Sequence, residues 1–355
     1  MRQNGTEVIY ERVNVVFMLF GLGVSLSNDS DGVMTKEDYV PAIELPEAVQ
    51  EPVVEEPAVK ESVSYEGATY EVTFAEKAVW DDFGEQVYLA KDGLLYSFDE
   101  SSNNDGFDTI LTVKDEVTRN VVKTVTLRKS EYGDVFTAYV YPAKSGGYLS
   151  WVTRWRDEGA DNFFFQFDAD GKKVRATNLF DSYQISKGGY IYGNPASDGK
   201  NFYFCTQEYD ENGYIYGGVM KIDESLNYEK TLVDTVTASV CVGNDGIVYI
   251  NDCYNGKLYS YNPDDDSLNS VSGLPDCGNY ICPGRGDEIF LGDKVVYSYN
   301  TKTGTLEKLI DLSEYGYNSY YADFIYRDVN GDVSIYFENY GDAFTPTVAH
   351  LHIKK

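Results

Sequence analysis

Gly246-Ile247-Val248-Tyr249-Ile250-Asn251-Asp252-Cys253-Tyr254-Asn255-Gly256-Lys257-Leu258-Tyr259-Ser260-Tyr261-Asn262 alternates apolar and polar residues, breaks at Asn255-Gly256, and then alternates again. Period-two alternation on both sides of a short Gly-containing break describes two antiparallel strands joined by a tight turn. Working outward, residues 238–242 and 268–271 read as two more strands, so the unit is a four-stranded meander. The next stretch repeats it with strands at 280–282, 288–291, 294–300 and 305–312. The breaks between strands carry turn chemistry, as in Asn244-Asp245-Gly246, Asp168-Ala169-Asp170-Gly171, Thr303-Gly304 and Asn330-Gly331-Asp332.

The last strand of each unit sets a ruler along the chain: 121–127, 173–180, 228–233, 268–271 and 305–312. Its spacing, about 35 to 55 residues, is that of propeller blades. The final unit supplies only three strands, at 319–327, 332–338 and 347–353, before the sequence stops. A fourth is expected from Thr69-Tyr70-Glu71-Val72-Thr73-Phe74, which alternates correctly and would remove two sheet edges by closing the ring. The expectation is an all-β, six-bladed β-propeller over residues 65–355, closed by an N-terminal strand. The first blade, near 78–128, partitions in two ways, so five or seven blades also satisfy the pattern.

The Tyr249-Ile250-Asn251-Asp252 box, followed by Asn255-Gly256-Lys257-Leu258-Tyr259, resembles the repeat of the YWTD family, the six-bladed propellers of the low-density-lipoprotein-receptor type. There a Tyr-Trp-Thr-Asp box ends the second strand and a short turn leads into the third. Looser copies are Tyr88-Leu89-Ala90-Lys91, Phe290-Leu291-Gly292-Asp293 and Tyr336-Phe337-Glu338-Asn339. The layout is most similar to bacterial secreted relatives of that family. The resemblance implies protein or peptide binding rather than catalysis.

Upstream of the repeats, residues 13–27 are an apolar run too short to span a bilayer as a helix. With Arg2 and Arg12 before it, residues 1–27 read as a signal-peptide-like segment. Residues 28–64 are acidic and Pro-rich, a composition that makes an extended linker. Together they point to a secreted or cell-surface protein.

The chain of 355 residues carries 29 Lys+Arg against 58 Asp+Glu, a formal charge of −29. Such a surface repels nucleic acid and anionic lipid. Protein, peptide or carbohydrate partners remain, and a monomer without an integral membrane span is expected. The sequence holds 32 tyrosines, which suit half-buried strands and also offer flat contact surface. The five cysteines are odd in number and irregularly spaced, as buried thiols would be; Cys277 and Cys282 are close enough to bridge.

Propeller ligands meet the loops between strands two and three of each blade and the loops between blades. Those loops are placed at 99–105, 154–161, 208–214, 252–256, 292–293 and 338–343, with inter-blade loops at 80–84, 129–134, 275–279 and 313–319. The candidate ligand-binding residues on them are Trp80, Tyr132, Arg154, Trp155, Arg156, Tyr209, Tyr254, Tyr315 and Tyr340. Trp155 between two arginines leads the set, although Arg154 and Arg156 equally suit pairing with Asp157, Glu158 or Asp161. No Gly-x-Ser-x-Gly elbow, His-Glu-x-x-His motif, phosphate loop or sialidase Asp-box occurs. No catalytic residue is therefore assigned, and a polysaccharide lyase or glycoside hydrolase using channel carboxylates or tyrosines is the alternative reading. No metal ligand set or cofactor is expected. His350 and His352 share one strand face, and calcium suits only the oxygen-rich turns at 264–266 and 328–332.

Overall fold

The computed structural model describes residues 69–76, 86–89, 93–103, 106–128, 136–156, 159–178, 190–275, 278–317, 320–339 and 347–354. Residues 1–68, with the signal-like and linker segments, lie outside that set. The strands in chain order begin with β1 (Tyr70–Glu76). The first blade is β2 (Gln86–Leu89), β3 (Leu94–Asn103), β4 (Gly106–Asp115) and β5 (Val121–Arg128). The second is β6 (Phe136–Ala143), β7 (Gly147–Arg156), β8 (Gly159–Asp168) and β9 (Lys173–Asn178). The third is β10 (Tyr190–Ser197), β11 (Phe202–Tyr209), β12 (Ile215–Ile222) and β13 (Tyr228–Val233). The fourth is β14 (Ala238–Val242), β15 (Val248–Asp252), β16 (Lys257–Asn262) and β17 (Ser267–Ser272). The fifth is β18 (Ile281–Pro283), β19 (Glu288–Leu291), β20 (Val295–Asn300) and β21 (Leu306–Asp311). The sixth combines β22 (Tyr320–Arg327), β23 (Val333–Asn339) and β24 (Thr347–Ile353) with β1.

The expected closure is present: β1 pairs antiparallel with β24 from Tyr70↔Ile353 to Glu76↔Thr347. The blade count is six, which settles the partition of the first blade. The first strand of each blade lies at the centre, where β10 packs on β14 and β14 on β18. The fourth lies at the rim, where every residue of β17 is exposed.

Among the described residues, six hydrophobic clusters fill the six gaps between neighbouring blades. In β8, Phe163, Phe165 and Phe167 point to the gap with the first blade, while Phe164 points to the gap with the third. Period-two alternation thus feeds two cores, and both sheet faces are apolar. The sixth cluster joins Leu95 of the first blade to Tyr326, Tyr336 and Val348 of the last, so the ring is closed by packing as well as by pairing.

One turn recurs between the third and fourth strands. An Asp or Asn side chain accepts backbone amides ahead of it: Asp115 from Thr118 at 2.7 Å, Asp168 from Lys172 at 2.9 Å, Asp223 from Asn227 at 2.8 Å, and Asn300 from Thr303 at 2.9 Å. This is the side-chain mimic of a backbone turn that these residues favour. Cations on the rim then brace each of the first three blades to the turn of the next. Lys123 donates to the Ala169 carbonyl at 2.9 Å, Arg175 to that of Ser225 at 2.8 Å, and Lys230 pairs with Asp266.

At the face carrying the turns, the closing blades share a buried polar cluster. Arg327, the last residue of β22, grips Glu288 through Nη2 at 2.7 Å and Nε at 2.8 Å. Its Nη1 donates to the hydroxyl of Tyr70 in β1 at 2.8 Å. Arg285 pairs with Glu116 of the first blade, and the Tyr326 hydroxyl donates to the same carboxylate at 2.7 Å.

Buried tyrosines give the fold an alkaline limit. Burial first, then hydrogen bonding to a carboxylate, raises Tyr261 to about 12, and burial followed by the neighbouring Asp198 or Asp245 carboxylate pushes Tyr203 and Tyr249 up as well. The unfolded chain ionises these groups near their ordinary value of 10, whereas the folded chain resists until higher pH. Stability is therefore complete below about pH 10 and falls as pH rises through about 12. Tyrosinate absorbance of these residues is expected to appear together with loss of near-ultraviolet circular dichroism. Ionisation of all tyrosines with retained ellipticity would contradict it.

Candidate functional site

The ring has two faces. One carries the strand 1–2 and strand 3–4 turns; the other, the loop face, carries the strand 2–3 connections and the inter-blade connectors. On the loop face, blades three and four build the best-defined surface among the described residues.

In blade three, Asp210 organises the tip between β11 and β12. Its carboxylate accepts the amides of Asn212 and Tyr214, each at 2.8 Å, and Gly213 closes the turn at φ +80°. Those donors, Tyr214 foremost, hold the Asp210 carboxyl below the usual carboxylate range. Past the tip, Gly217 lies so close to β11 that a Cβ would stand 1.9 Å from the Thr206 carbonyl oxygen. The tip projects Tyr214, Ile215 and Tyr216, which are 73%, 43% and 47% exposed. The Tyr216 hydroxyl donates to Glu208 at 3.1 Å.

In blade four, β15 ends at Asp252 and a 3-10 turn, Cys253–Asn255, leads to β16. Tyr254 at the top of that turn is 86% exposed. Asn255 donates to Asp252 Oδ2 at 2.9 Å, tying the turn to a carboxylate that is only 1% exposed. The other oxygen, Asp252 Oδ1, has no hydrogen-bond partner among the described residues.

Below these tips, side-chain amides pin the inter-blade connectors. Gln207 donates to the Val236 carbonyl and accepts from the Tyr190 hydroxyl, so both ends of its amide are engaged. Asn251 donates to the Gly278 carbonyl at 3.0 Å. The result is a rigid floor of committed amides with exposed tyrosines and carboxylates above it.

The structure redistributes the sequence candidates. Arg154, Trp155 and Arg156 are not in a loop: they finish β7, with Arg154 opposite Asp161, Trp155 opposite Ala160 and Arg156 opposite Gly159. Residues 99–103 likewise belong to β3, and Tyr209 ends β11. Backbone pairing carries these hairpins past the point where side-chain polarity suggested loops, because the ladder is indifferent to polar side chains at a solvated end. Tyr254 stands in a connection, as expected. Tyr315 is in the 3-10 segment Leu312–Tyr315, but its ring centroid lies 5.1 Å from that of Phe74, so much of it serves the closing strand. Trp80, Tyr132 and Tyr340 lie outside the described residues. Among the described candidates, Tyr209 and Tyr254 lie on blades three and four.

The other candidates resolve into turn chemistry. Asp328 accepts the amides of Asn330 at 2.8 Å and Asp332 at 3.0 Å, and Asp332 accepts that of Ile353 at 2.8 Å. Asp265 accepts the Ser267 amide at 3.0 Å, and Asp266 meets Lys230 and the Tyr261 hydroxyl. His350 and His352 do share a face, with ring centroids 6.1 Å apart, but each has its own partner: Ser334 Oγ at 3.1 Å and Asp332 Oδ2 at 3.0 Å. Cys205, Cys241 and Cys282 are free thiols, so Cys282 forms no bridge.

Tyr214 lies in the 208–214 loop placed from the sequence, but neither Tyr214 nor Tyr216 is among the candidate ligand-binding residues. The preceding Asp210-Glu211-Asn212-Gly213 turn was the available signal. Asp252 was read as part of a turn; its burial depends on the third blade beside it.

No protein-family model matches the sequence, and no relative was found among curated proteins. Solved structures do show likeness. A luciferin-regenerating enzyme aligns over 79% of this chain and 95% of its own, at 10% identity and TM-score 0.48. A protein of unknown function from Dyadobacter fermentans aligns over 76% and 94%, at 12% identity and TM-score 0.46. Virginiamycin B lyase from Staphylococcus aureus aligns over 80% and 100%, at 11% identity and TM-score 0.37. With every TM-score below 0.5 and identities this low, these likenesses carry no functional argument, and the reading below rests on the chain's own residues.

Proposed function

We propose that this propeller is a non-catalytic binding module, secreted or displayed at a cell surface, whose loop face takes up a protein, peptide or carbohydrate. The observation that carries the reading is the pair of exposed tyrosine tips, Tyr214 to Tyr216 and Tyr254, held on neighbouring blades by turns and pinned connectors. Large aromatic side chains left in water on rigid supports contribute strongly to recognition, since little order is lost when they are covered. The extracytoplasmic placement rests on the apolar run and acidic linker before the ring, and membership in a YWTD-like group rests on the box at 249–252. No helix among the described residues is long and apolar enough to cross a membrane. The enzyme alternative draws no specific support from this surface: its carboxylates belong to turns and loop-holding contacts, without a nucleophile–base pair among the described residues.

The test is binding of the parent chain and a Tyr214→Ala/Tyr254→Ala variant to a surface-protein, peptide and glycan array. The variant is expected to keep its circular dichroism and melting temperature, because both rings are exposed. Its affinity for the parent's ligand is expected to fall at least about tenfold, or about 1.4 kcal/mol. Undiminished affinity would move the site elsewhere, and turnover of a polysaccharide by the parent would replace the reading with the enzymatic one.

A further inference from the structure

We propose that β17, the outer strand of blade four, is a self-pairing edge: two copies of this chain join antiparallel through it, so that two four-stranded blades continue into one sheet of eight. The two-fold pair takes the place of the monomer expected from the sequence, and it does not rest on the loop-face reading.

The outer strand of each blade is a sheet edge, and a bare edge is a template for another strand. Five of the six outer strands carry charge. β5 has Lys123 and Arg128, β9 has Lys173 and Arg175, β13 has Glu229 and Lys230, β21 has Glu307, Lys308 and Asp311, and β1 has Glu71 and Glu76. β5, β9, β13 and β21 also shift register against their neighbours, which interrupts the ladder. β17, Ser267-Leu268-Asn269-Ser270-Val271-Ser272, has neither device. It holds no charge, and it pairs with β16 over six consecutive residues without a shift. All six residues are exposed, and Leu268 and Val271, 43% and 44% exposed, stand on opposite faces of the sheet. Among the described residues, β16 is its one strand neighbour.

A second copy fits this edge because its own β17 is equally neutral and because the two-fold arranges the flanking charges favourably. Identical strands paired antiparallel set residues of like parity opposite one another. With Asn269 on the axis, the two Asn269 amides meet and can each donate to the other's carbonyl. Leu268 of each copy is then diagonal to Leu268 of the other on one face of the sheet, within reach of a long side chain. Ser272 falls opposite Asp266 of the other copy, and Ser272 is itself paired with Lys257 on β16. The acidic turn Asp264-Asp265-Asp266 of each copy thus approaches Lys257 of the other across one small serine, about 10 Å from backbone to backbone. The two acidic turns stay about 20 Å apart, more than two screening lengths at physiological salt. Parallel pairing would lay them side by side.

Six residues a side make a short seam, so the association is weak and depends on concentration. Two chains of charge −29 repel one another at long range, and an exposed Lys–Asp contact offsets little of that. Added salt screens the repulsion and leaves the backbone ladder intact, so it strengthens the pair. A contact driven by opposite charges would respond in the other direction.

Sedimentation equilibrium of the full chain from about 1 to 500 µM, at about 0.05 and 0.5 M NaCl, tests this. The parent is expected to pass from monomer to dimer, more completely at the higher salt. Asn269→Lys puts two like charges on the axis and is expected to weaken the dimer at least about tenfold. Thr231→Lys, on the outer strand of blade three, makes the same charge change and is expected to leave the dimer within about twofold of the parent or tighten it. Both residues are exposed, so each variant is expected to keep the circular dichroism and melting temperature that the parent shows as a monomer. Asn269→Cys is expected to give a disulfide-linked dimer on mild oxidation, where the parent and Thr231→Cys give none. A parent that stays monomeric throughout overturns the proposal. So does a dimer that Asn269→Lys leaves intact, or that both lysine variants weaken equally. If the full chain is monomeric and the chain lacking residues 1–64 dimerises, the edge is covered by the chain's own leading segment, and self-pairing of the full protein falls.

Discussion

A chain lacking residues 1–76 is expected not to fold cooperatively, whereas one lacking only residues 1–64 is expected to melt like the full-length protein. The difference is β1. Seven residue pairs join it to β24, and Val72 and Phe74 pack into the core of the fifth and sixth blades. The Phe74 ring also meets Tyr317 at 4.9 Å and Tyr315 at 5.1 Å between centroids. Removing the strand exposes the β24 edge, uncovers apolar surface and deletes the hydroxyl that Arg327 holds. Those losses together rival the roughly 5–15 kcal/mol by which a folded domain exceeds its unfolded state, and a bare edge invites aggregation. Thermal unfolding and sedimentation of both truncations decide the matter. A monomeric chain without residues 1–76 that melts within a few degrees of the parent would show that the ring does not depend on this strand.

Arg327→Met is expected to cost about 3–5 kcal/mol, the usual consequence of stranding a buried charge. The side chains of Arg327 and Glu288 are 1% and 10% exposed, so water cannot replace the lost partner. At about 2–4 °C per kcal/mol, the melting temperature should fall by roughly 6–20 °C. The double variant Arg327→Met/Glu288→Leu should be less damaged than Arg327→Met alone, because it removes both charges together. Tyr70→Phe removes one hydrogen bond and should cost about 1 kcal/mol. A double variant as unstable as the sum of its parts would mean that the two side chains do not act as a pair.

Much of this architecture was readable along the chain. The bounds 238–242, 257–262, 288–291 and 347–353 agree between sequence and structure, since strand residues and turn residues differ locally in kind. The recruitment of Tyr70 to Phe74 followed from counting three strands in a unit that needs four. Errors fell where local pattern stops being informative. Polar residues at 99–103 and 154–156 extend hairpins, and their backbone pairing is blind to side-chain polarity. The site was legible only in part. Tyr254 announced itself by standing beside Asn255-Gly256, while Tyr214 lay in a placed loop without being singled out.

The amino-acid order by itself determined the four-strand repeat, the turns between strands and the need for a borrowed fourth strand, because these depend on short-range periodicity and turn chemistry, while the partition of the first blade was left to the tertiary structure. Tertiary structure alone decided which charges meet. Glu116 and Arg285 are 169 residues apart and Tyr70 and Arg327 are 257 apart, and only closure of the ring brings them together. It also decided that Asp252 is buried while Tyr254, two residues later, stands in water. Burial belongs to the neighbouring blade and not to the residue's own stretch of chain.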